Sequence, residues 1–525
     1  MGDGLIGRRI SPGRTAAPAV GTELPVYKPI TDQPRGFDLL RLPGVRRFIR
    51  WRYARLVFQV PLLLLALFVI VDGFTGRQLA PRNVATTSVW LHYRGLVVIA
   101  LALVGNAFCA SCPLMLTRGF SRRLERLLPS KLAWPRVLKN KYLVLLLLLL
   151  FFYSYEAFDL WASPWLTAWL ALGYFGAALA VDTLFPAGTF CRWVCPLGNF
   201  NFALSSVSPA QITAVDHDLC RQCEHKPCLH GRESYADPAQ ASGEFAFVPL
   251  ADVVHVNGSG RFPGCETDLF APTVQSNMDC TNCFNCVRAC PYDNVALTLR
   301  SPAREVTRAP LTRRGGLAVS LVGVLLAFFG LLNAAAMVAP FHGAANWIAG
   351  LLSVESEQTL LALLFLIVAA VGAAVTTGTA LLADLAGGGR AEPVRALERW
   401  GYVPAVLAFG FWASHYLFHF LTGALSIVPV FEHFFAFRGL PVDPNWRLAQ
   451  LVPTRYLFTI TAAVTSAYTL LALFVAGRIA LRDFGRRGVV AMWPILLYTL
   501  AFAALGLWLL AQPMEMRGTI LGPSL

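Results

Sequence analysis

The stretch CTNCFNCVRACP, residues 280–291, sets Cys280, Cys283, Cys286 and Cys290 in a C-x2-C-x2-C-x3-C-P run. Three thiols two residues apart fit one face of a tight loop, so a polynuclear iron–sulfur cluster can take three corners from one stretch. The fourth cysteine points away and Pro291 turns the chain, and with this spacing the fourth thiolate belongs to a second cluster where two are present. A zinc site needs four ligands and rarely uses this spacing. The run therefore reads as an iron–sulfur motif rather than a zinc site or a plain thiol cluster.

Working outward, Cys220, Cys223 and Cys228 form an altered first motif, C-x2-C-x4-C, and Cys265 follows after an insertion of mixed polar residues. Eight cysteines fill two [4Fe–4S] clusters. Crossover assigns Cys220, Cys223, Cys228 and Cys290 to one, and Cys280, Cys283, Cys286 and Cys265 to the other. The alternative is that the altered motif has lost its cluster. His217, His225, His230 and His255 lie in the same insert; surface histidines are the plainer reading than thiolate replacements.

The 525 residues carry a net charge of +14, and 56% are hydrophobic against 14% charged. Soluble domains carry about 25% charged residues, so the composition points to a membrane protein. The basic excess is a topology signal, because Lys and Arg collect in cytoplasmic loops. The arginines sit between apolar runs and form no continuous face with aromatics, which argues against nucleic acid as a partner. Twelve cysteines in spaced groups, with Arg8 and Arg9 followed by no close apolar stretch, favour metal ligands over disulfides of an exported chain.

Residues 1–50, rich in Gly, Pro and Arg, read as a flexible basic cytoplasmic arm. Apolar runs follow at 54–74, 95–116, from Tyr142, and at 165–185. Residues 51–204 form a four-helix membrane half, and 205–312 a polar insert. Residues 313–525 form a five-helix half, with runs at 316–338, 359–385, 402–428, 456–481 and 489–510. Arginine clusters after the second run, at the insert exit and near Arg395 and Arg486 fit about nine spans. They put the N-terminus and insert inside and the C-terminus outside. The expected fold is an all-α polytopic membrane protein with a small cytoplasmic two-cluster ferredoxin-like insert, in the inner (cytoplasmic) membrane.

Two cysteine pairs lie outside the insert. Cys109 and Cys112 precede Pro113, and Cys191 and Cys195 precede Pro196. Both pairs fall at the cytoplasmic ends of spans, where thiolates in a dry setting are costly unless a metal compensates them. Three readings stand: a third iron–sulfur centre built from all four, a redox dithiol pair, or structural cysteines.

The Cys191–Pro196 element followed by the Cys280–Pro291 run between spans resembles the NapH/NosR type of membrane polyferredoxin, a relative of FixG/CcoG. The resemblance covers about residues 50–340; the first pair is one residue shorter than that family's spacing. It implies membrane electron transfer between cytoplasmic or quinone-level donors and a membrane or exported reductase. It leaves the last five spans unexplained.

In the second half, His415 and His419 are spaced i, i+4, so one helix face presents both. With His433, Met514 and Met516 they make a candidate outer copper site, His and Met being copper-suited ligands; packed histidines are the plainer reading. Glu156 and Asp182 are further polar residues within runs. The function expected is iron–sulfur electron transfer in the bilayer with redox partner proteins and a candidate quinone. The alternatives are a copper-handling assembly factor for an oxidase or reductase, and a redox-driven transporter.

Overall fold

Runs of Leu, Val, Ala and Phe without charge leave backbone amides that only a helix satisfies internally when water is absent. In a computed structural model, which describes residues 9–10, 37–125, 131–231, 262–274, 276–302 and 316–514, those runs are helices and the chain is 73% helical. Seven helical stretches among the described residues are long and apolar enough to cross a membrane: Leu56–Thr75, Val84–Val104, Pro164–Leu184, Gly316–Ala335, Glu357–Ala386, Tyr402–Ala436 and Thr454–Ala511. The last holds two helices, Leu457–Phe484 and Gly488–Ala511, with Gly485 at φ +55 between them. The leucine tract forms the shorter helix Tyr142–Ala157. Each expected apolar run thus contains a helix, and the chain is compatible with a membrane protein.

Gly316–Ala335 is the central helix, with 78% of its apolar window buried, whereas Leu56–Thr75 and Pro164–Leu184 are peripheral at 22% each. The main core packs Phe329, Trp400, Phe409, Phe411 and Trp412 with the aliphatic residues of the later helices. The outer faces expose Leu64, Leu146, Leu470 and Leu497. Many exposed large apolar side chains of this kind suit lipid and would be a liability in water.

The second run is displaced from its expected place. The helix runs over Val84–Val104, not 95–116. Asn83 caps its start by accepting from the Ala85 amide at 2.9 Å. Arg94 hid this extension, because a charged residue reads as a boundary. Instead its guanidinium is buried beside the rings of Trp90, Tyr155 and Tyr416, 4.5–5.0 Å from their centroids. The helix stops at Gly105, whose φ of +70 suits glycine, and Asn282 of the insert donates to the last carbonyl, Val104 O, at 3.1 Å. Cys109 and Cys112 therefore lie beyond the helix, in the turn Ala107–Ser111 and at its end. The seventh run also ends early, at Gly423, and a separate short helix Ile427–Ala436 follows.

The insert is built on a three-stranded antiparallel sheet with Val295–Leu299 in the middle. Ala210–Ala214 pairs on one side, Ala210 opposite Leu299, and Phe37–Asp38 on the other, Phe37 opposite Leu299. The expected arm over 1–50 is thus a distinct structure from Phe37 onward: a strand, a turn and the helix Pro43–Arg50. Leu40 and Ile49 join Ile212, Val287, Val295 and Leu297 in the core of the insert. Apart from Arg9–Ile10, residues 1–36 lie outside the described residues.

Candidate functional site

The loop around Cys280–Pro291 owes its shape to residues in the left-handed region: Asp279 (φ +65), Asn282 (φ +50), Phe284 (φ +57) and Asp293 (φ +53). Asp and Asn visit this region at low cost, whereas a bulky side chain such as Phe284 is strained there. The winding turns Cys280, Cys283 and Cys286 into one neighbourhood. The short helix Asn285–Ala289 carries Cys286 and leaves Cys290 at its end.

The cysteines lie in three neighbourhoods, with Cys228 beside Cys286 and Cys109 beside Cys280 where they meet. Cys228 faces Cys290, Cys220 and Cys223. Leu219, Phe270 and Tyr292 line the same small cavity as those four. Asn294 bridges two of them, its amide nitrogen donating to Cys290 Sγ at 3.3 Å and its side chain to Cys220 Sγ at 3.2 Å. Cys286 faces Cys283, Cys280 and Cys265, and the Leu269 amide donates to Cys265 Sγ at 3.2 Å. Burial pushes the Cys220 and Cys283 thiols up to about 11; Cys290 adds to the shift at Cys220, and at Cys283 Glu266 adds to it while Arg55 opposes it.

The third group is Cys109, Cys112, Cys191 and Cys195. Cys195 faces Cys112 and Cys109, and Cys191 faces Cys195 and Cys112. A π-helical turn, Phe190–Val194, carries Cys191, and Cys195 caps the helix Pro196–Leu204. Donors point at these sulfurs: Gly198 N at 3.2 Å from Cys195, Asn201 Nδ2 at 3.7 Å from Cys109, and Arg118 Nη2 at 3.8 Å from Cys191. Met115 Sδ lies 3.5 Å from Cys191 Sγ.

The groups are neighbours in series. Cys286 of the middle group faces Cys228 of the first, and Cys280 faces Cys109 of the third. Asn106, fully buried, donates to Cys280 O at 2.8 Å and ties the second helix to the insert. Lys141 pairs with Asp279 and donates to Asn199 Oδ1 at 2.8 Å, clamping the residue before Cys280 to the helix after Cys195. Arg192 reaches Thr267 O at 2.7 Å.

A buried ion-pair chain closes the junction. Glu266, next to Cys265, meets Arg55 at 2.6 Å and Arg118 at 3.3 Å, and Arg118 meets Asp182 at 2.8 Å. Burial alone would push the Glu266 carboxyl up, but Arg118 and Arg55 together hold it below the ordinary glutamate range. Its stabilisation is therefore present above the unfolded value of about 4.3 and is lost as pH falls through the lower folded one. Gly188 (φ +89) passes so close that a Cβ there would meet Glu266 O at 1.6 Å. Glu266→Gln takes the countercharge from Arg55 and leaves Arg118 with Asp182, and is expected to cost about 3 kcal/mol, read as a lower thermal midpoint in detergent.

No group of three or more His, Cys, Asp or Glu side chains among the described residues is close enough to hold a single metal ion. A lone zinc needs its thiolates drawn in to about 2.3 Å, whereas a multi-iron body keeps its corners apart. Four thiols per group with N–H donors on their sulfurs fit a cluster's chemistry, since thiolates ligate its irons and hydrogen bonds to sulfur tune it.

In the second half the candidate copper ligands divide. His415 is buried and its ring stands edge-on to that of His419, centroids 4.8 Å apart. His433 packs against Trp446 and Phe437 instead, Met514 lies against the main core, and Met516 is outside the described residues, as is His255. Glu156 accepts from Asn333 at 2.6 Å. The residues missed in the sequence are Asn106, Asn201, Asn294, Arg118 and Glu266, single polar residues with no motif of their own. No family model, no curated protein and no solved structure matches the chain.

Proposed function

We propose that this chain is a membrane-bound iron–sulfur electron-transfer protein of the NapH/NosR kind. The insert would hold one [4Fe–4S] cluster on Cys220, Cys223, Cys228 and Cys290 and another on Cys265, Cys280, Cys283 and Cys286. A third iron–sulfur centre would sit on Cys109, Cys112, Cys191 and Cys195. The observation that supports the reading is the one cavity lined by Cys220, Cys223, Cys228 and Cys290, with Asn294 donating to two of their sulfurs. Such clusters supply single-electron exchange between the insert and the helices. The residues around them exclude water, offset thiolate charge with N–H donors and fix the insert on the helix ends through Asn106, Lys141 and Glu266. Partners would be a cytoplasmic or quinone-level donor and a membrane or exported acceptor. Iron, sulfide and copper analysis of anaerobically purified protein, with EPR, tests this. Zinc without acid-labile sulfide ends it.

The same proposal has nine spans in an inner (cytoplasmic) membrane, with the insert cytoplasmic and the C-terminus outside. Accessibility reporters at Gly388 and Trp446 should then read opposite sides. The same side for both would mean a miscounted span.

A second reading, copper handling, draws on one observation: His415 Nδ1 is buried without a hydrogen-bond partner beside His419. Copper bound there should fall in His415→Ala and in His419→Ala while iron stays constant. Copper that does not change returns the pair to packing.

A further inference from the structure

The helix Pro43–Arg50 and the turn after it have a face that neither the insert nor the helix bundle covers. Val45 and Ile49 pack into the insert. Phe48, Trp51 and Tyr53 remain 38–47% exposed and stack edge-on or tilted in a row that continues to Phe58 on the first long helix. Between Asp38 and Asp72 the sequence holds six arginines, Arg41, Arg46, Arg47, Arg50, Arg52 and Arg55, and no carboxylate. Arg55 serves Glu266, while Arg46 and Arg50 share Asp293, three residues past Cys290. Arg47 and Arg52 are exposed, and Arg52 lies 4.5 Å above the Tyr53 ring.

Aromatic rings at headgroup depth, with exposed guanidinium groups on the segment leading into an apolar helix, are the chemistry of a lipid–water interface. We infer that the segment 43–53 is a binding site for anionic phospholipid headgroups of the cytoplasmic leaflet, with Arg47 and Arg52 as the phosphate ligands. The inference rests on the membrane reading above. The occupant is lipid because the patch runs without a break into Leu56–Thr75 and because its free charge is all positive. Through Asp293 the lipid-bound helix also steadies the loop that carries Cys290.

The full chain is loaded into nanodiscs of phosphatidylcholine with or without phosphatidylglycerol, and the lipid it retains is read by native mass spectrometry. Arg47→Gln with Arg52→Gln should weaken phosphatidylglycerol retention about thirtyfold, as expected for two arginines near an anionic surface. Asp293→Asn frees Arg46 and Arg50 and should raise retention, a gain that misfolding cannot produce; asparagine also tolerates the left-handed backbone there. Retention that is equal in all variants overturns the site. So does capture of an acidic soluble protein by the wild type alone, with lipid unchanged. Release of the chain from membranes by alkaline carbonate would instead overturn the membrane reading itself.

Discussion

Cys283→Ser is expected, if the insert holds the two proposed clusters, to remove one of their signals from the EPR spectrum of reduced, anaerobic protein and to leave the other in place. The Cys283 side chain is almost fully buried, so no water replaces the lost thiolate easily, and a serine hydroxyl is a poor ligand for iron. Cys265, Cys280 and Cys286 remain, one short of the four that a cubane needs. The other quartet does not use Cys283, and its bridge through Asn294 is untouched. Cys228 and Cys286 are near enough to act on each other electrostatically, so any magnetic interaction between the two proposed clusters should vanish along with the lost signal. Cys290→Ser supplies the control. With crossover, Cys290 belongs with Cys220, Cys223 and Cys228, so the two variants should remove different signals. If both remove the same signal, the four cysteines of the 280–291 run serve one cluster and the assignment falls.

Legibility in the sequence follows the range of the physics involved. Apolar runs of about 20 residues announce helices locally, and all those expected contain one. The second was misplaced because Arg94 and His92 look like a boundary. Only the tertiary structure reveals the rings around Arg94 and the two carbonyls, Thr87 O and Ala424 O, that engage His92. Cysteine spacing is what proposes the quartets, since one short loop positions three thiols at once. Their supporting residues were invisible: Asn201 is 92 residues from Cys109, and Asp38 accepts from an amide 259 residues away. The strand from Phe37 reads as part of a loose arm for the same reason, its partner being Val295–Leu299, the middle strand of the insert. His433 shared an expected membrane side with His415 and His419, but side alone says nothing about lateral distance.

Cys191→Ser should lower iron per protein while both insert signals persist, if the outer pairs hold a third centre. Cys191 lies in the turn Phe190–Val194, which Asp182 supports through the Phe190 amide at 3.4 Å. Asp182 also holds Arg118, and Arg118 holds Glu266. None of those contacts uses the Cys191 sulfur, so the insert should stay seated in the variant. What the substitution removes is one thiolate of four, next to Cys195 and Cys112. The alternatives give different results. A dithiol pair would leave iron unchanged and remove one thiol from a reversible disulfide titration. Structural cysteines would leave both unchanged and shift only the thermal midpoint. The choice has a physical bias. Thiolates in a dry junction are costly without a metal, and Gly198, Asn201 and Arg118 already aim donors at three of these sulfurs. Donors at sulfur favour the charged form and burial favours the neutral thiol, so a bound iron would be what tips these sulfurs to thiolate. Full iron content in Cys191→Ser would therefore mean that those donors serve neutral thiols, and the chain would hold metal only in its insert.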